Sequence, residues 1–222
     1  MGRQLLILTA LRYEATAIEK ALKGVRDLPD GHVILVHVIG PGATHLRQLE
    51  RREASGIIMA GLAGAIAPQL DAGDIVIDEL SACGDVKLPW RKGKIHSADQ
   101  IVASPGQKDE LFRATGALVV DMENDAARRL AVEWSVPYLG IRAVLDRADE
   151  MLDPAFLRLT DTRGRIRLGR LAAELCCRPG LLVALVRMRI CSAAALRSLS
   201  AAVRQLVQQD CFGFKARALR NS

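Results

Sequence analysis

The sequence predicts an α/β protein, a central mixed twisted sheet flanked by helices. Two observations carry that prediction. Over the first 145 residues, short apolar runs alternate with segments of helical spacing, the pattern of strands covered on both faces by helices. The runs also end on glycine or on a carboxylate, and the carboxyl ends of strands are where such sheets bind ligands.

From the N-terminus, QLLILTAL (4–11) reads as a first strand and 12–23 as a helix. HVILVHVI (32–39) is β-branched and strand-like, and 43–54 has helical spacing with a polar surface. GIIMAG (56–61) is a third strand, GDIVIDE (73–79) a strand after a turn, and ALVV (117–120) a short strand. A helix is expected over 122–134 and a last strand at YLGIRAVL (138–145). Five of these runs lead into Arg12-Tyr13-Glu14, Gly40-Pro41-Gly42, Gly61 to Gly64, Asp121-Met122-Glu123 and Asp146. Glycine lets a backbone approach a ligand closely. Gly and Asp are also ordinary turn residues, so it is the set that points to a site.

The last third has another texture. RGRIRLGR (163–170) is basic and punctuated by glycine, Pro179-Gly180 breaks the chain, and 181–209 reads as one long helix. The chain carries a net charge of +6, but residues 151–222 hold 13 Lys/Arg against 4 Asp/Glu, while residues 1–150 are net acidic. At helical spacing Arg178, Arg189, Arg197 and Arg204 share one sector, with Arg187 outside it. Such a face suits an anionic membrane surface, or simply solvates a helix that covers the core. The division expected is a catalytic core over 1–165 and a basic helical region over 166–222 packed on it, with frayed last residues.

Composition excludes several classes. The mean hydropathy is +0.15 and no apolar run approaches the ~20 residues of a membrane span. The N-terminus lacks the apolar stretch and cleavage site of a signal peptide. Five cysteines without metal-type spacing argue for a reduced, cytoplasmic protein. His32, His37, His45 and His96 have no ligand spacing, and no metal site is expected. No basic patch interleaved with aromatics appears, so nucleic acid is not an expected partner.

Three blocks, LTALRYEA (8–15), GLAGAIAPQLDAGDIVIDE (61–79) and VVDMENDAARRLAVEWSVPYLGIRAVLDRADE (119–150), resemble the nucleoside phosphorylase/nucleosidase superfamily, and most of all its methylthioadenosine/S-adenosylhomocysteine nucleosidases. The resemblance covers about residues 3–165 in discontinuous blocks. The ending LRLTDTRGRIRLGRLAAELCCRPGLLVALVRM (157–188) further resembles the hopanoid-associated phosphorylase-like subgroup, thought to remove adenine from adenosylhopane.

Such an activity makes definite demands on side chains. Breaking a ribosidic C1′–N9 bond leaves a purine anion and a cationic sugar. A carboxylic acid kept protonated by burial would neutralise the first, and Asp146 matches the family's general acid. Its simpler reading is a turn or capping residue. Glu123 matches the carboxylate that accepts both ribose hydroxyls, and Met122 the residue packed on the sugar. The simpler reading of the DMEN stretch is a helix start, with Asp121 as cap. Glu14 matches the carboxylate that holds water in the nucleosidases. Gly40, Gly42, Gly61 and Gly64 are expected to line the substrate, and Ser104 falls in the stretch that contacts the base.

Phosphorolysis would need a cationic pocket, yet Leu62 stands where phosphorylases of the superfamily have serine, and Arg12 or Arg47 would have to supply the cation. Hydrolysis is therefore favoured, with phosphate kept as a possible co-substrate and no other cofactor expected. Tyr13 and Trp90 are the candidates for stacking on a purine. Asp149, Glu150, Arg142 and Arg147 are expected to be pairing or solvated residues. The resemblance also implies a homodimer or larger assembly and a lipid-linked adenine nucleoside as substrate, met at the inner membrane face. A soluble-nucleoside enzyme and a non-catalytic nucleoside-binding protein are the alternatives.

Overall fold

The computed structural model describes residues 4–25, 33–49, 54–78, 88–152 and 181–209, with side chains of the last helix described from residue 189. The strands are β1 (Gln4–Thr9), β2 (Val33–Val38), β3 (Ala54–Ala65), β4 (Ile75–Asp78), β5 (Arg91–Lys92), β6 (Ile95–Ser97), β7 (Val119–Asp121) and β8 (Tyr138–Asp146). The helices are α1 (Arg12–Ala21), α2 (Pro105–Thr115), α3 (Asn124–Trp134) and α4 (Leu181–Gln208).

All eight strands form one sheet, whose main order is β2-β1-β3-β8-β4-β5. β1, β2, β3 and β8 run parallel, whereas β4 runs antiparallel to β8 and β7 antiparallel to the end of β3. The sheet is mixed, as expected, and it is covered on both faces. Leu5, Ile7, Ile58 and Ile141 point toward α1 and α4, where they meet Ile18, Leu22, Leu199 and Val203. Their neighbours Leu6, Leu8, Ile57 and Met59 point the other way, onto Ala127, Ala131 and Trp134 of α3. This period-two division of continuous apolar runs is what a sheet buried on both faces requires.

The long C-terminal helix is part of this core. Ala195, Leu199, Ala202, Val203, Leu206 and Val207 are all buried in the same cluster as α1 and the central strands. Burying each of the larger of these side chains contributes about 1.5–3 kcal/mol. Arg189 and Arg197 are exposed, but Arg204 turns inward and donates to the Ala21 carbonyl at 2.5 Å. The C-terminal end of α1 carries unsatisfied carbonyls and a partial negative charge, which attract the guanidinium. Arg204 thus leaves the basic sector expected of this helix. Arg178 and the expected domain boundary at 165/166 lie outside the described residues, as does the side chain of Arg187.

Three elements differ from expectation. The segment 41–49 holds two short 3-10 turns, Pro41–Ala43 and Leu46–Gln48, in place of a regular helix. Gly40, Gly42 and Ala43 all have positive φ there, which α-helical backbone cannot accommodate. Strand β3 continues through Gly61 to Ala65 instead of ending in a turn, because β8 pairs along one edge and β7 along the other. Helix α2 is unexpected, although its signals are local. Ser104 caps the Gln107 N–H, Pro105 takes the first helical position, and Gly116 closes the helix in the left-handed region.

Candidate active site

Glu14 is the third residue of α1, and its carboxylate folds back to the start of that helix. Oε2 accepts from the Leu11 N–H at 2.9 Å, which is half of a capping box, and Oε1 accepts from the Leu62 N–H at 2.9 Å. A helix start and strand β3 are tied together by one buried carboxylate. Burial raises its pKa from 4.5 to about 7, against the opposing pull of the two N–H donors and of Arg142. Gly61 makes this possible, since a Cβ at that position would stand 3.2 Å from Oε1. Leu62 offers Glu14 its backbone and turns its side chain to the core.

Glu123 stands between β7 and α3, just before the first residue of the helix. Its Oε1 accepts from the Gly42 N–H at 2.8 Å, so the 40–43 loop reaches across to the ribose-binding candidate. The positive φ of Gly40 and Gly42 shapes that loop and presents the N–H. Burial also pushes the Glu123 carboxyl above its ordinary range. Met122 beside it is half-buried. Tyr13 is 45% exposed, and burial of its hydroxyl, together with the charges of Glu14 and Glu123, raises its pKa. Tyr13 therefore flanks both carboxylates. Trp90, the other stacking candidate, lines a separate open cavity of about 570 Å³ with Gly73, Ser198 and Gln205.

Asp146 is the last residue of β8 and is buried. The pairing of β3 with β8 passes from Ala63↔Val144 to Gly64↔Asp146, leaving Leu145 unpaired. Such a bulge re-aims the side chain that comes after it. Gly64 is to Asp146 what Gly61 is to Glu14: a Cβ there would stand 3.4 Å from both carboxylate oxygens. The two glycines are three residues apart on β3, about 10 Å along an extended strand. Burial raises the Asp146 pKa, and Lys108 opposes that shift. The Lys108 ammonium lies 2.5 Å from Oδ2 and is itself fully buried.

Two residues here escape a reading of the sequence. Lys108 belongs to the unexpected helix α2. Arg142, expected to be a pairing or solvated residue, does pair, but it does so 1% exposed at the centre of the sheet. Its guanidinium donates to Asp121, to the Met59 carbonyl at 2.6 Å and to the Ile141 carbonyl at 2.9 Å. Asp121 accepts in addition from the Ser97 hydroxyl at 2.8 Å and from the Asn124 N–H at 2.9 Å, so it caps α3 as well. The sequence does carry a signal for Arg142: a charged residue inside an apolar strand is almost never buried without a partner.

Ser104 is engaged in capping α2 through Gln107, next to Ala103, whose carbonyl accepts from the Leu152 N–H at 2.9 Å. Arg147 is half-buried and pairs with Asp149 and Asp71, while the Glu150 side chain accepts from the Arg147 N–H. Arg12 and Arg47 are both exposed. His37, His45 and His96 are not buried, and His32 and four of the cysteines lie outside the described residues. Among the described residues no group of His, Cys, Asp or Glu is placed to hold a metal ion. No described helix is long and apolar enough to cross a membrane.

A mixed sheet covered by helices, with acids gathered at the ends of its central strands, is the nucleoside phosphorylase/nucleosidase fold. Residues 77–176 match the model of the Phosphorylase superfamily, a segment that holds Lys108, Met122, Glu123 and Asp146. Among solved structures, the chain is similar to the 5′-methylthioadenosine/S-adenosylhomocysteine nucleosidase of Helicobacter pylori, with 17% identity over 94% of this chain and 100% of that one and a TM-score of 0.62. It is equally similar to the futalosine hydrolase of Helicobacter pylori, with 18% identity, 94% and 97% coverage and a TM-score of 0.61. The corresponding methylthioadenosine/S-adenosylhomocysteine nucleosidase of Campylobacter jejuni gives 15% identity, 96% and 100% coverage and a TM-score of 0.62. No curated protein sequence matches the chain.

Proposed function

We propose that the protein hydrolyses the N-glycosidic bond of an adenine nucleoside, with adenosylhopane as its substrate. The observation that carries the reading is the set of three buried carboxylates around the ends of the central strands: Glu14 against Gly61, Asp146 against Gly64, and Glu123 on the Gly42 N–H. Such a set suits a nucleoside at the strand ends, with the attacked carbon near Glu14 and the base near Asp146. Asp146 gives a proton to the purine as the C1′–N9 electron pair moves onto the ring. Glu123 accepts from the Gly42 N–H through Oε1, and its carboxylate accepts from ribose hydroxyls, where its charge also balances the developing cation. Glu14, with a pKa of about 7, is poised to take the proton of a water that joins C1′.

Water is favoured over phosphate by the charges around that place. Arg142 is the cation that acts on Glu14 and Glu123, and four of its five N–H bonds are already given to Asp121 and to two carbonyls. Two buried carboxylates would repel a phosphate dianion. The lipid-linked substrate is supported by the resemblance of residues 157–188 to the hopanoid-associated subgroup and by the basic character of residues 151–222.

The test is adenine release from adenosylhopane and from methylthioadenosine, with and without phosphate. The expected result is free adenine and a reducing sugar from adenosylhopane without phosphate, and a loss of about 10²-fold or more in Asp146→Asn. A ribose 1-phosphate product would refute hydrolysis. Turnover of methylthioadenosine alone would refute the lipid-linked substrate, and full activity of Asp146→Asn would refute the acid.

A further inference from the structure

Lys108 has no part in the chemistry proposed so far, yet it lies in the first turns of α2 and is fully buried. Its ammonium has three N–H bonds and makes three contacts: Asp146 Oδ2 at 2.5 Å, the Arg147 carbonyl at 2.6 Å and the Glu150 carbonyl at 2.9 Å. It is therefore saturated, with no donor left for a substrate. Withdrawing an ammonium from water is costly, and a buried lysine elsewhere in the core would be replaced without loss by an apolar residue. Here it fixes the turn after β8 and one oxygen of Asp146 together. The other oxygen, Oδ1, accepts no hydrogen bond among the described residues, and Gly64 leaves room beside the carboxylate, a Cβ there standing 3.4 Å from both oxygens.

We propose that Lys108 is the positioning residue of the proton donor: by holding Oδ2 it aims Oδ1 at the purine, and its charge stabilises the carboxylate left behind when the proton departs. The proposal deepens the proposed function and rests on the assignment of Asp146 as the acid. The proton balance is simple. Before the step Asp146 carries its proton on Oδ1, while Oδ2 accepts from the Lys108 ammonium. The C1′–N9 bond breaks, its electron pair passes to the purine, and the Oδ1 proton moves with it to a ring nitrogen. Asp146 becomes a carboxylate paired with an ammonium that has not changed its protonation state. The water oxygen bonds to C1′, and its proton goes to Glu14. The ion pair is thus stronger after proton transfer than before, which is the kind of interaction that lowers a barrier.

The groups that face this pair are few. Glu150 acts on Asp146 from the turn after β8, against the Lys108 charge, and Asp149 acts on Lys108 from the same turn. The Arg147 guanidinium is directed to Asp149 and Asp71. Lys108 on α2 is therefore the cation that opposes the burial of Asp146.

The experiment is the pH dependence of kcat and KM for adenine release in wild type, Lys108→Gln and Lys108→Arg, with adenosylhopane and methylthioadenosine as the substrates offered. Glutamine keeps hydrogen-bonding capacity toward the turn without the charge. In Lys108→Gln the alkaline limb of kcat should move up by about one unit or more, because burial of Asp146 is no longer opposed. The plateau kcat should fall about tenfold or more as the acid weakens, with KM changed less than about threefold. In Lys108→Arg the limb should stay within about half a unit and part of kcat should return. A purely structural lysine would lower the amount of folded protein and leave the limb in place. A folded Lys108→Gln with an unmoved limb overturns the proposal. If Lys108→Gln does not fold, a limb in Lys108→Arg displaced by more than about one unit overturns it, and a limb in place with lowered kcat supports it. Failure of the underlying reading looks different: the wild type releases no adenine, or Asp146→Asn remains fully active.

Discussion

Replacing Glu14 by glutamine removes one titration and leaves the shape of the side chain almost unchanged. Burial raises this carboxyl from 4.5 to about 7, so the folded protein holds a proton there that the unfolded chain has released. Stability from this group is therefore fully present below pH 4.5 and is lost as pH rises through about 7. At about 1.4 kcal/mol per pKa unit, the loss is about 3 kcal/mol. Glu123 and Asp146 are also raised; the Asp146 contribution cancels when wild type and Glu14→Gln are compared at each pH, and Glu123, whose charge acts on Glu14 more weakly than burial does, leaves a smaller difference. The amide can accept from only one of the Leu11 and Leu62 N–H groups, which costs about 1–3 kcal/mol at every pH and adds no slope. Urea unfolding of both proteins at pH 4.5 and pH 8 should show wild type losing about 3 kcal/mol relative to the variant between the two conditions. In the same preparations, adenine release should fall about 10²–10⁴-fold in Glu14→Gln, and wild-type activity should decline below pH 7 about tenfold per unit. Parallel stabilities at the two pH values would refute the raised pKa. Undiminished activity of Glu14→Gln would refute its role as base.

The fold is legible in the sequence because most of its strands are buried on both faces. Such strands read as continuous apolar runs, and β1, β3 and β8 have that texture, while the edge strand β2 shares the apolar sequence with Val33 and Val38 exposed. The edge strands β5 and β6 are invisible there: at two and three residues, they are held by their pairing partners and not by their own composition. The site is half legible. Glu14, Glu123 and Asp146 stand at strand or helix ends, where a carboxylate can be recognised from its place in a pattern. The partners that set their chemistry come from elsewhere in the chain. Gly42 is 81 residues from Glu123, and Lys108 is 38 from Asp146. The bulge at Leu145 is a property of the pairing between two strands, and neither strand announces it. Arg142 is the residue whose burial the sequence does foreshadow. It interrupts an apolar strand beside an acid-rich segment, and its exposure to water would require that strand to lie at the surface.

Two further substitutions probe the framework beneath the site. In Gly140→Ala the new Cβ would stand 2.4 Å from Asn124 Oδ1, which the Tyr138 hydroxyl bonds at 2.7 Å, and would also press within 3.1 Å of Ile95 Cδ1. Displacing that amide forfeits a buried hydrogen bond, and thermal unfolding should report a loss of about 1–3 kcal/mol; an unchanged melting temperature would show that Asn124 has room to move. Arg142→Met leaves Asp121 at 7% exposure with the Ser97 and Asn124 donors but no cation, and should cost about 3–5 kcal/mol in urea unfolding. The same change made together with Asp121→Asn removes the orphaned charge and keeps an acceptor for one of those two donors, so the double variant should recover part of the loss. If the double variant is no more stable than Arg142→Met alone, the arginine matters for its bonds to the Met59 and Ile141 carbonyls, which join β3 to β8, and not for neutralising Asp121.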